Sequence, residues 1–316
     1  MKAKKKYPIR RNRKRMLKYG VLVITVLISS ILILVLLFPP SRPYSPNPNT
    51  FYFKAAIVDH LSLSAPNQTF AQTATTILQN GGFTVDYYSG EKVNVEFYRN
   101  LPKHDYGVIL LRVHSAVGKN NNPPLALFTS EPLDTSKYKL EILFDQLQGV
   151  AFLPYKPGDP KYFGIPPKFV SDCMSGTFEN TIIIAMGCNG LTYTDMAKAF
   201  IYKGAKAYIS WSSTVTASHT DAETEKLLRH LVTERKTVWH SVSQTSTDPT
   251  TYAHLTYYPS GAGTFIIPQK SPTNNFPTPK TAICVCEANF YNTERFSANM
   301  IQKFLSRHVK CIRYVF

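Results

Sequence analysis

Residues 181–190 read Thr-Ile-Ile-Ile-Ala-Met-Gly-Cys-Asn-Gly. An uncharged run with three β-branched isoleucines ends in a cysteine between two glycines. The run is too short for a helix and lacks the alternation of a strand with one wet face. It predicts a strand buried on both sides. Phe53–Asp59, Gly107–Val113 and Ala205–Trp211 read the same way, and Phe83–Tyr88 alternates as a further strand. Helical patterns fall between them: Asn67 to Asn80, closed by Gly81-Gly82; Val95 to Asn100; Thr194 to Tyr202, before Gly204; Asp221 to Thr233, capped by Thr220 or Asp221; and Thr237 to Gln244. Strand alternating with helix is the pattern of a parallel sheet covered on both faces. The expected fold class is α/β, a three-layer sandwich with a mostly parallel central sheet. Residues 116–180, rich in Pro, Gly and Asn, read as irregular, and Tyr257-Tyr258 with Thr264–Ile267 as a closing hairpin.

The net charge of +16 invites a nucleic-acid partner, but its distribution argues against one. Residues 1–18 carry ten Lys and Arg and no acid, and residues 268–316 carry +5, leaving +1 for residues 19–267. A domain that tracks phosphates needs a basic folded face. The basic head instead precedes Tyr19–Phe38, twenty residues without a charge. As a helix these span about 30 Å, the thickness of a bilayer's hydrocarbon layer. Lys and Arg before such a span stay cytoplasmic, which sets the remainder outside. The run exceeds a signal peptide's apolar region and meets Phe38-Pro39-Pro40 rather than a small-residue cleavage site, so an uncleaved anchor is expected. Five prolines in residues 39–50 predict an extended linker, taken as 39–51, before a domain over 52–267 and a C-terminal tail over 268–316.

Open parallel sheets bind ligands beyond the carboxyl ends of their strands. Those ends carry Asp59-His60, His114-Ser115, Gly187-Cys188-Asn189-Gly190 and Trp211-Ser212-Ser213. A histidine and a cysteine thus stand at the tips of separate strands on one edge. An imidazole near a thiol either lowers its pKa or takes its proton, giving the nucleophile of an acyl transfer that needs neither metal nor cofactor. The backbone N–H groups of Ser115 and Cys188 are the expected oxyanion donors. Against this, free cysteine is among the most buried residue types, and a lone histidine is often only a satisfied polar group.

An apolar strand ending in His (Val108-Ile-Leu-Leu-Arg-Val-His114), followed by one ending in Cys (Ile182-Ile-Ile-Ala-Met-Gly-Cys188), resembles the caspase-like cysteine peptidases, the group of caspases, legumains, gingipains and separases. Met196 to Trp211, with its Lys203-Gly-Ala turn, resembles the helix, turn and strand that follow the family's nucleophile. The resemblance covers about residues 52–267. It implies a caspase-like, flavodoxin-like strand order, a peptide or protein substrate, His114 as general acid/base and Cys188 as nucleophile. Asp59, His60, Trp211 and Ser212 fall where the family builds its primary substrate pocket, and a buried Asp59 there would favour a basic side chain. Ser115 stands where the family usually has Gly, and Met186 where it often has Gln or Glu. The His-to-Cys separation of 74 residues implies an insertion over 116–180, a lid or a specificity element. A catalytically inactive, membrane-tethered α/β binding module of the same fold is the alternative.

Cys173 reads as structural. Cys284, Cys286, His308 and Cys311 match no recognised zinc pattern, and disulfides compete outside the membrane. Asn67-Gln68-Thr69 is a glycosylation sequon. His219 reads as a loop residue near the site mouth; His104, His230, His240 and His254 read as surface positions.

Overall fold

The computed structural model describes residues 19–30, 51–118, 122–152 and 154–270. The chain divides into two units, Met1–Lys270 and Ser271–Phe316, and the second lies outside the described residues, as do Cys284, Cys286, His308 and Cys311. Helix α1 covers residues 19–30, the described part of the expected span; 31–38 and most of the expected linker fall outside. Val21–Ile24 and Val26–Ile28 on α1 are each more than half exposed. Among the described residues no helix is long and apolar enough to cross a membrane.

β1 (Lys54–Asp59) leads through a 3-10 turn, His60–Leu63, into α2 (Gln68–Asn80) and β2 (Thr84–Ser89). α3 (Val95–Asn100) precedes β3 (Val108–Arg112). β4 (Ser115–Gly118), β5 (Asn122–Pro132), α4 (Lys139–Leu143), β6 (Gln148–Val150), β7 (Tyr162–Ile165) and α5 (Pro167–Asp172) follow. The chain continues with β8 (Ile182–Ala185), α6 (Asp195–Tyr202), β9 (Ala207–Trp211), α7 (Ala217–Leu228), α8 (Val238–Ser243) and β10 (Leu255–Tyr258).

The main sheet has six strands in the order β2-β1-β3-β8-β9-β10. The first five are parallel, and β10 is antiparallel to β9. The protein is therefore α/β with a mostly parallel central sheet. The inner strands β1, β3, β8 and β9 are nearly continuous apolar runs because successive residues enter different cores. Ala56, Val58, Ile109, Leu111, Ile183 and Ala185 join a cluster with Tyr98 of α3, Phe169 of α5 and Phe200 of α6. Ala55, Ile57, Val108, Leu110, Ile182 and Ile184 join another with Phe70 and Leu78 of α2, Leu227 of α7 and Val238 of α8.

Three expectations are corrected. Residues 116–180 are not irregular: they hold a four-stranded antiparallel sheet, β4-β5-β7-β6, with Leu125 to Thr129 buried in succession. Proline in this stretch, as at Pro132, sits toward strand ends, where its missing N–H breaks no central ladder. Residues 257–267 form no hairpin: β10 joins the main sheet, and 260–264 are a 3-10 turn. α7 begins four residues earlier than expected, because Asp248 binds both the N–H and the hydroxyl of Thr216 at 2.8 Å. Thr220 and Asp221 are then helix-interior and buried rather than caps.

Candidate functional site

β2 lies on one side of β1 and β3 on the other, so the winding direction changes between β1 and β3. The carboxyl ends flanking such a switch point form the usual ligand crevice of an open α/β sheet. Residues Asp59-His60 and His114-Ser115 stand there.

β3 and β8 are neighbours, paired from Val108↔Ile182 to Leu111↔Ala185, a constant offset of 74 residues. His114 and Cys188 differ by the same 74, so they occupy matching register places three residues beyond the last pair. The strand ends stay in contact: the Ser115 hydroxyl donates to the Cys188 carbonyl at 2.5 Å. A side chain on Gly187 would meet Ser115 Oγ and come within 2.5 Å of the Val113 carbonyl. Glycine is required there by close packing.

His114 Nε2 pairs with the Ser64 hydroxyl at 2.9 Å. The Phe152 ring stands edge-on to the imidazole, 5.0 Å between centroids, with Phe128 at 5.8 Å and His60 at 5.9 Å. Burial, then the positive charge of Arg112, lowers the His114 pKa below its ordinary value, so the ring is neutral at pH 7. Cys188 is partly buried and its thiol donates to the Val215 carbonyl at 3.6 Å. Among the described residues no hydrogen bond joins His114 to Cys188, and Nδ1 of His114 has no hydrogen-bond partner.

Among the described residues neither expected oxyanion donor has an acceptor. The Phe128 N–H donates to the His114 carbonyl at 2.9 Å, and Ser115 faces Leu127 across the strands. That combination marks a widely spaced antiparallel pair, in which the Ser115 N–H points away from β5. The Cys188 N–H has no acceptor among the described residues.

The expected substrate-pocket residues divide. Asp59 is 1% exposed and does not await a basic ligand: Oδ1 accepts from Arg112 at 2.7 Å and Oδ2 from the Tyr87 hydroxyl at 2.9 Å. Trp211 is fully buried, its indole N–H given to Thr220 at 2.8 Å, so it is a core residue, not a pocket wall. His60 is 3% exposed, with no hydrogen-bond partner for Nδ1 among the described residues. Burial and the neighbouring His114 lower its pKa to about 4. Ser212 is half-buried, its hydroxyl 3.1 Å from His254 Nδ1 and its carbonyl accepting from Thr192 at 2.7 Å. A cavity of about 560 Å³, lined by Asp59, Ser62, Asn67 and Tyr87 among others, lies beside the crevice and does not include His114 or Cys188.

Three participants escaped the sequence reading: Ser64, Arg112 and Phe152. Only Arg112 left a signal there, as a charge inside an apolar strand. Its guanidinium is fully buried between two carboxylates, with Nε and Nη2 on Asp221 at 2.7 and 2.8 Å and Nη1 on Asp59. Burial opposes its charge, but the two carboxylates outweigh burial and raise its pKa. Nη2 also holds the Ala65 carbonyl at 2.9 Å, which fixes the loop carrying Ser64. Asn67 is spoken for: Oδ1 caps α2 and Nδ2, the atom a glycan would take, donates to Asp221 at 2.9 Å. His219 Nε2 donates to the Ser246 carbonyl at 3.0 Å. Cys173 is half-buried, and burial raises its thiol pKa. No family model matches this chain, and no curated protein matches it.

Proposed function

We propose that the chain is a membrane-anchored, caspase-like cysteine peptidase that hydrolyses peptide bonds through His114 and Cys188. The observation that carries the reading is the shared offset of 74, which brings imidazole and thiol to adjacent strand ends at matching register. The strand order β2-β1-β3-β8-β9 follows the flavodoxin-like winding and supports a three-layer, caspase-like arrangement. The uncharged run over 19–38 behind a basic head supports the anchor.

The chemistry follows from the groups present. The Cys188 thiol turns from the Val215 carbonyl toward Nδ1 of neutral His114, a closure that substrate completes in many enzymes. His114 takes the proton, and the thiolate attacks the carbonyl carbon of the scissile bond. The Ser115 and Cys188 N–H groups receive the developing oxyanion. Collapse breaks the C–N bond while His114 returns the proton to the leaving amine. Water, deprotonated by His114, then hydrolyses the thioester and frees the thiol.

A second reading, an inactive tethered binding module, is favoured by one observation: His114 and Cys188 each bond to a different partner, Ser64 and Val215. The two separate by experiment. The full-length chain in detergent is treated with peptidyl acyloxymethyl ketones bearing Arg, Asn or Asp at the cleaved position. Covalent labelling that disappears in Cys188→Ala and falls at least about 100-fold in His114→Ala is expected of the peptidase. No Cys188-dependent labelling with any of the three favours the binding module.

A further inference from the structure

We infer that Phe152 and Phe128 form an apolar subsite for the residue that follows the cleaved bond, and that the antiparallel insertion exists to supply it. The inference rests on the peptidase reading above. In that chemistry the group that protonates the leaving amine must touch it, so the residue carrying the amine lies against His114.

What surrounds His114 is aromatic. Phe152 stands 5.0 Å from the imidazole and 5.0 Å from Phe128, and Tyr162 lies 6.0 Å behind Phe152. His60 closes the far side, 6.3 Å from Phe128. Arg112, the cation whose charge acts on His114, is turned away and held by Asp59 and Asp221. A charged side chain covered by these rings would lose part of its water without gaining an ion pair from them.

The two phenylalanines differ in a way that suits a binding wall. Phe128, inside β5, is 2% exposed and forms a fixed floor. Phe152, two residues beyond β6, is 40% exposed, leaving apolar surface for an incoming side chain to cover. Both come from the insertion. β4 begins at Ser115, next to His114, and pairs with β5; β7 pairs with β5 and β6. The second sheet is thus tied directly to the end of β3, and its aromatic residues are delivered to the imidazole. A large apolar or aromatic residue is the matching occupant.

The test uses the full-length chain in detergent and internally quenched peptides. Each carries, at the cleaved position, a residue accepted in the ketone labelling, followed by Phe, Leu, Ala, Asp or Lys. Expected is a kcat/KM about tenfold or more higher for Phe and Leu than for Ala, and higher still over Asp and Lys. In Phe152→Ala the Phe and Leu peptides fall to within about threefold of the Ala peptide; Phe152→Leu retains the preference. A flat profile, a preference for Asp or Lys, or a preference that survives Phe152→Ala overturns the subsite and leaves the peptidase standing. So does Cys188-dependent labelling without cleavage of any of the five peptides. Absence of both labelling and cleavage overturns the peptidase reading, and the subsite with it.

Discussion

At the scale of single residues, the site turns on how His114 is held. A catalytic base is usually oriented by a third group; in the proposed peptidase that group is the Ser64 hydroxyl on Nε2 of His114, which leaves Nδ1 for the thiol. Ser64→Ala is expected to slow Cys188 labelling about tenfold, Ser64→Thr to restore most of it, and His114 ring nitrogen chemical shifts to report a change of tautomer. A merely structural serine would leave those shifts where they are. His60 makes a second prediction, through pH. Its folded pKa of about 4 lies below the ordinary 6.5, so between those values the unfolded chain binds more protons than the folded one. His60 therefore takes no stability away above pH 6.5 and costs progressively more as pH falls toward 4, up to about 3 kcal/mol. Urea unfolding at pH 7 and pH 4.5 should record the loss, and His60→Phe should remove much of it. His114, also lowered, acts in the same direction. None of this was legible in Leu61-Ser-Leu-Ser64, where a serine bears no mark of what it will face.

At the scale of elements, Arg112 ties β3 to three other pieces of chain. It ends β3, binds the last residue of β1, clamps Asp221 of α7 and holds the loop before α2. Replacing it with Met strands two buried carboxylates, which costs about 3–5 kcal/mol. Arg112→Met should therefore lower the urea midpoint sharply and slow Cys188 labelling, through misplacement of Ser64 and His114 rather than through chemistry. The inner strands β1, β3, β8 and β9 were readable because burial on both faces leaves a nearly uninterrupted apolar run. β4 to β7 were not, because β4, β6 and β7 are only three or four residues long and β5 carries proline toward both ends, so the stretch resembles loop. α7 was misread at its start because its opening is fixed by Asp248, distant in sequence.

At the scale of the whole molecule, the charge is concentrated outside the central region, and the basic head adjoins an uncharged run long enough to span a bilayer. The full chain is expected to float with vesicles on a density gradient and to resist extraction by high salt and by carbonate, whereas a chain beginning at residue 51 is expected to stay at the bottom. Extraction of the full chain by salt alone would leave only electrostatic attachment. By itself the sequence determined the α/β class, the strand tips carrying His114 and Cys188, and the charge asymmetry, because each depends on local composition, periodicity or length. The tertiary structure decided which strands are neighbours, and so that the two residues share a register. It also decided that Asp59 and Trp211 are buried and already partnered, that Ser64 meets His114, and that the insertion brings Phe152 to the imidazole. Those are contacts between segments far apart in the chain, and side-chain pairing at such distances is set by packing, which no local pattern encodes.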